Sequence, residues 1–179
     1  MADRLTFLRN LLLPILLGIS GCVVLPINHD SIEDPALLKI KTAFAHTVEQ
    51  TLNDPEQQWT SGWLGNMWVN FHGDKNRGLC YEWKYRVHAG VKDTVARVGW
   101  QSTGVVINKG AEHEHHAVVV YDPKQVDHRQ LLSAPATQPV YVLDAWRQGQ
   151  PDIYRMRDWL SLTPKVTIAA ETIPIQPDQ

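Results

Sequence analysis

Three side chains far apart in the sequence, Cys80, His116 and Asp144, have the types and local settings of a thiol nucleophile, its base and the base's partner. A cysteine attacks as its thiolate, which a helix N-terminus and a neighbouring imidazole both favour. Cys80 follows the loop Gly73-Asp74-Lys75-Asn76-Arg77-Gly78-Leu79, and a helix is predicted to start at the cysteine itself. His116 opens the run His116-Ala117-Val118-Val119-Val120, where strand alternation sets it on the face of Val118 and Val120. An imidazole base needs an acceptor that fixes its tautomer. Asp144 ends the next strand-like run, Val140-Tyr141-Val142-Leu143-Asp144, and is expected to supply that acceptor. The plain alternative is an inert buried thiol, a strand-edge histidine and a turn aspartate.

A metal reading competes for the histidines. Glu112-His113-Glu114-His115-His116 is dense in potential ligands. On a strand, however, His113 and His115 point together while His116 points away, and no CxxC or HExxH spacing supports a zinc site. His113 and His115 are therefore read as a polar hairpin end. Neither a metal nor an organic cofactor is expected.

The other cysteine has a different setting. Arg4 and Arg9 precede the apolar block Leu11–Leu17, and Ser20-Gly21 lead directly into Cys22. The block is shorter than the roughly 20 apolar residues that span a bilayer, and the order of features is that of a secretory signal. Ile19-Ser20-Gly21-Cys22 resembles the lipobox of bacterial lipoproteins. That resemblance implies a lipoprotein signal peptide over residues 1–21, acylation of Cys22 and attachment to a membrane through the acyl chains. Val23, in place of an aspartate, points by similarity to proteobacterial sorting rules to the outer membrane, facing the periplasm. Cys80 is then an unpaired thiol in a compartment where thiols usually pair. The formal net charge is −2, with no long basic run, which disfavours a nucleic-acid partner.

The elements that must position Cys80, His116 and Asp144 fit in one domain. Residues 22–33 read as a tether, 34–170 as the domain and 171–179 as a frayed tail. Asp34-Pro35 supplies an N-cap and a first-turn proline, and Leu37, Ile40, Phe44, Val48 and Leu52 then recur at helical spacing. Residues 56–79 are aromatic without clear period, with Trp59, Trp63 and Trp68 either walling a cleft or covering a core. Core cover is the simpler reading, and at most a short helix is expected there. A second helix is predicted from Cys80 to a glycine cap at Gly90, followed by strands over 95–100, Gly104–Ile107, His116–Tyr121 and Tyr141–Asp144. A short helix over 153–161 and a last strand over Val166–Ala169 complete the order. Helices followed by strands with hairpin-like connections give α+β with a mainly antiparallel sheet.

Gly78-Leu79-Cys80 opening a helix, His116-Ala117-Val118 on a strand and Leu143-Asp144 closing another together resemble the transglutaminase-like branch of the papain-like superfamily. Glu82 is similar to the acidic residue often found two positions after that family's cysteine. The resemblance covers about residues 56–147. It implies a papain-like fold with helices on a mainly antiparallel sheet, and a thiol hydrolase or transamidase acting on amide bonds of peptides, proteins or peptidoglycan stems. Cys80 would attack, His116 would act as base and then acid, and Asp144 would orient it. The backbone N–H of Cys80 is expected at the oxyanion. Papain-like enzymes carry a glutamine six residues before the cysteine, where this chain has Asp74, so Asn76 and Trp68 are the candidate side-chain donors. A second possibility is a non-catalytic envelope binding or assembly lipoprotein on the same fold, which the tryptophan-rich segment fits equally well.

Overall fold

The computed structural model describes residues 24–27, 32–72, 76–163 and 168–175. The expected signal peptide, Cys22, half of the tether and Asp74 lie outside the described residues. Asp34 caps the first helix, α1 (Pro35–Leu52): its Oδ1 accepts from the backbone N–H of Ala36 at 2.7 Å and of Leu37 at 3.1 Å. Leu37, Ile40, Phe44 and Val48 form its buried face, as the spacing predicts. Residues 56–79 are more regular than expected. Two-residue bridges β1 (Gln58–Trp59) and β2 (Asn76–Arg77) pair in parallel around an eleven-residue helix, α2 (Gly62–His72).

The next helix, α3 (Cys80–Arg97), overturns two expectations. It passes through Gly90 and absorbs residues 95–97, which alternation assigned to a strand. Its apolar row Trp83, Val87, Val91, Val95 continues at helical spacing, and that burial outweighs the local alternation. The true stop is Gly99, at φ +79°, where Gly99 N–H bonds Ala96 O and Trp100 N–H bonds Val95 O, a Schellman cap. Gly90 instead lets α1 approach closely. A Cβ at Gly90 would lie 2.1 Å from Thr47 Oγ1. Gly90→Ala is therefore expected to lose about 1–3 kcal/mol despite alanine's better helix propensity. Urea unfolding of Gly90→Ala, with and without Thr47→Ala, checks this: removing Thr47's branch should restore part of the loss, since its Cβ stays 2.8 Å from the new methyl group.

The remaining strands are β3 (Gln101–Ile107), β4 (His115–Tyr121), β5 (Val140–Asp144), β6 (Asp152–Arg155) and β7 (Glu171–Ile173). They form a sheet in the order β6-β5-β4-β3-β7, antiparallel throughout, so the chain is α+β as expected. β6 runs directly into α4 (Met156–Ser161), dividing the stretch expected as one helix. Among the described residues the last strand is Glu171–Ile173, so the expected frayed tail begins with a paired segment; of the strand expected over Val166–Ala169, Ile168 and Ala169 are not in a strand and 166–167 lie outside the described residues.

Both sheet faces are buried. Val118, Val120 and Leu143 pack against α1 and α3. On the opposite face Ala117, Val119 and Val142 pack against Leu131, Met156 and Trp159. Among the described residues no helix is long and apolar enough to cross a membrane.

Candidate active site

Cys80 is the first residue of α3. Glu82 clamps the turn before it, its Oε2 accepting from the N–H groups of Gly78 at 2.8 Å and Leu79 at 3.0 Å, with Arg77 3.7 Å from its other oxygen. This is the reaching-back half of a capping box, and it also sets negative charge against the helix N-terminus. Glu82 thus acts on the backbone that holds Cys80.

Cys80 is 7% exposed. Its S–H donates to Glu114 O at 3.8 Å, and it accepts from the backbone N–H of His116. In an extended chain the carbonyl of one residue and the N–H two residues on point to the same edge. That edge of β4 has lost β5, whose last pair with it is Val118 with Leu143. The thiol therefore seats against the backbone on both sides of His115, beyond the end of β5.

The expectation of a thiol ionised by the helix terminus does not survive this burial. Desolvation, aided by Glu114 and Asp144, pushes the Cys80 thiol up to about 11 against the lowering by the His116 N–H. The folded thiol thus keeps a proton that the unfolded chain releases from about pH 9. The stability it contributes is complete below that pH and declines as pH rises toward 11, by about 2 kcal/mol. Urea midpoints of wild type and Cys80→Ala should draw together by that amount between pH 8 and 11.

The histidine that meets Asp144 is His115, not His116. His115 Nε2 lies 2.7 Å from Asp144 Oδ2. Register explains the exchange: Val118 pairs with Leu143, so Asp144 lies on the face of Ala117 and Val142, which His115 shares and His116 does not. The same Asp144 oxygen accepts from Trp159 Nε1 at 2.8 Å and Arg147 Nε at 3.1 Å, while Oδ1 accepts from Trp146 N–H at 3.2 Å. Burial alone would raise this carboxyl, but His115, Arg147 and Trp159 together hold it down at about 2. The His115 ring lies between two indoles, with centroids 4.6 Å from Trp146 and 5.5 Å from Trp159. Its Nδ1 is buried and has no hydrogen-bond partner. His115 is therefore a core imidazole with one nitrogen fixed and one available, in place of the polar hairpin end expected of it.

His116 projects to the helix side and bonds Glu114 Oε1 at 2.5 Å. Burial lowers its proton affinity, and Glu114 offsets part of that. Lys84, one helical turn after Cys80, is buried on the same side, and burial lowers its affinity as well. Neither candidate oxyanion side chain is among the groups acting on the sulfur. Asn76 is buried on β2, four residues before Cys80, and Trp68 is 51% exposed on α2.

A cavity of about 720 Å³ opens beside His115, bounded by Trp63, Asn66 and Met67 of α2, by the 112–115 segment and by Trp146 and Arg147. The tryptophans divide between the two expected roles. Trp59 packs edge-on against the buried Trp83, whose indole N–H donates to Thr60 O at 2.7 Å. Trp63 is 65% exposed and walls the cavity. Trp146 joins the two regions, since its Nε1 donates to Asn66 Oδ1 at 2.9 Å.

His113 lies on the exposed hairpin, at φ +61°. Among the described residues no three His, Cys, Asp or Glu side chains cluster in a way that would hold a metal ion. Compared with known families, curated proteins and solved structures, the chain matches no family model, no curated protein and no solved structure.

Proposed function

We propose that the chain is a thiol hydrolase or transamidase of the cell envelope acting on amide bonds, built on a papain-like scaffold of the transglutaminase-like branch. Cys80 is its nucleophile, His115 its base and Asp144 the residue that orients the base. One observation carries this reading: the Cys80 sulfur touches the backbone flanking His115, whose Nε2 is held by Asp144 and whose Nδ1 is unused. With Asp144 accepting at Nε2, the neutral ring bears its proton there and Nδ1 is the basic nitrogen.

In the reaction the Cys80 proton passes to His115 Nδ1 as sulfur bonds the carbonyl carbon. The C–N bond then breaks, and the leaving amine takes that proton. Water or a second amine resolves the thioester, giving hydrolysis or transamidation. Since the resting thiol is neutral, His115 removes its proton during attack; no preformed ion pair is required. The N–H of Cys80 faces the oxyanion, with Asn76 as the side-chain candidate. A lipid on Cys22 tethers the domain to the outer membrane, and peptides, proteins or peptidoglycan stems are the substrates.

The burial of the thiol favours one other reading, a non-catalytic binding or assembly lipoprotein. An activated acyl donor separates the two. Incubation with an aryl ester of a short peptide should leave one acyl group on Cys80, located by peptide mass spectrometry and absent in Cys80→Ser. Failure to acylate Cys80 at millimolar ester would end the enzyme reading.

A further inference from the structure

Two of the buried side-chain nitrogens without a hydrogen-bond partner, His115 Nδ1 and Arg147 Nη2, belong to residues lining one cavity. The first has a use in the proposed reaction. The second has none, although a buried guanidinium donor left without a partner is unfavourable.

We propose that this cavity binds a single carboxylate carried on an apolar or aromatic group, with Arg147 as its anchor. The proposal deepens the reading of Cys80, His115 and Asp144 as an active site by naming what its substrate carries. Arg147 is fixed before any ligand arrives. Its Nε is committed to Asp144 at 3.1 Å, and the adjoining Trp146 O accepts from Gly62 N–H at 2.6 Å. Gly62 sits at φ +68° with its Cβ position 3.1 Å from Arg147 O, so the backbone of the 146–147 segment abuts the start of α2. A guanidinium held this way needs little ordering to receive a ligand, and its planar fork matches a carboxylate.

The walls select the rest of the ligand. Trp63, Met67 and Trp146 offer apolar and aromatic surface. Glu112 and Glu114 stand on the same cavity, which disfavours a polyanion such as a nucleotide and leaves room for one anionic group at Arg147. A volume of about 720 Å³ suits a ligand of two or three amino acids.

The test uses matched peptides and intrinsic tryptophan fluorescence of the full chain. One pair, acetyl-Phe-Gly and its C-terminal amide, places the carboxylate at a chain end. The other, acetyl-Phe-Glu-amide and acetyl-Phe-Gln-amide, places it on a side chain. At least one carboxylate form should bind about tenfold more tightly than its uncharged twin, the advantage of a charge-assisted over a neutral hydrogen bond. The preference should vanish in Arg147→Gln and shrink severalfold in Arg147→Lys, which keeps the charge but loses the fork. Equal binding within both pairs overturns the proposal, as does absence of binding by all four peptides. A preference that persists in folded Arg147→Gln overturns it too. These titrations need no turnover, so failure to acylate Cys80 would leave a carboxylate preference standing, and loss of the preference would leave Cys80 acylation standing.

Discussion

Asp144→Asn is expected to lose about 3–5 kcal/mol of folding stability, the largest effect of any single substitution considered for this chain. Asp144 is fully enclosed, and its Oδ2 receives His115, Trp159 and Arg147 at once. Asparagine keeps the size but turns one acceptor into a donor. If its amide nitrogen takes the Oδ2 position, it confronts the N–H groups of Trp159 and Arg147. If its oxygen does, Trp146 N–H loses its partner and Arg147 loses its counter-charge. Either way the half-buried Arg147 guanidinium loses its counter-charge. The carboxyl held down at about 2 also sets an acid limit. A depressed folded value means the contribution is complete above the unfolded carboxyl's ordinary range and disappears as pH falls through that range toward 2. Urea midpoints measured from pH 7 to 3 should therefore fall in wild type more than in Asp144→Asn. A loss below about 1 kcal/mol at pH 7 would show that Asp144 is not the hub its hydrogen bonds suggest.

His115→Gln should lower the rate of Cys80 acylation by about 10²–10⁴, the range of general-base contributions. His116→Gln should change it less than about tenfold, because His116 bonds Glu114 and acts on Cys80 through its backbone N–H, which the substitution retains. The two residues are adjacent and both buried, so comparing them controls for general disturbance of the strand. The opposite outcome, with His116 the sensitive residue, would return the base to the position that alternation alone suggests.

Much of the scaffold was legible in the chain. Asp34-Pro35 announced α1, the loop before Cys80 announced a helix start, and Val140–Asp144 announced β5, because each signal is local. Gly90 misled because close packing against Thr47 and helix capping both call for glycine, and only the position of α1 separates them. The choice between His115 and His116 is a question of parity between two strands. It depends on which residue of β4 faces Leu143, which no local pattern carries. Arg147 and Trp159 were out of reach for a related reason: they meet Asp144 from a loop and from α4, through tertiary contacts alone.

On the proposed function, the hairpin between β3 and β4 has a chemical role. Ala117–Val120 is apolar at every position and buried on both sides, so the strand itself would accept a slip of one residue at little hydrophobic cost. The turn is not so permissive. Asn108, at φ +55°, bonds His113 O through Nδ2 and accepts from Ile168 N–H through Oδ1, and His113 takes φ +61°. Between them these residues count out the strand from Ile107 opposite His115. Shortening or lengthening that turn by one residue would exchange which imidazole faces Asp144, making loop length, and not only side-chain identity, a determinant of the base.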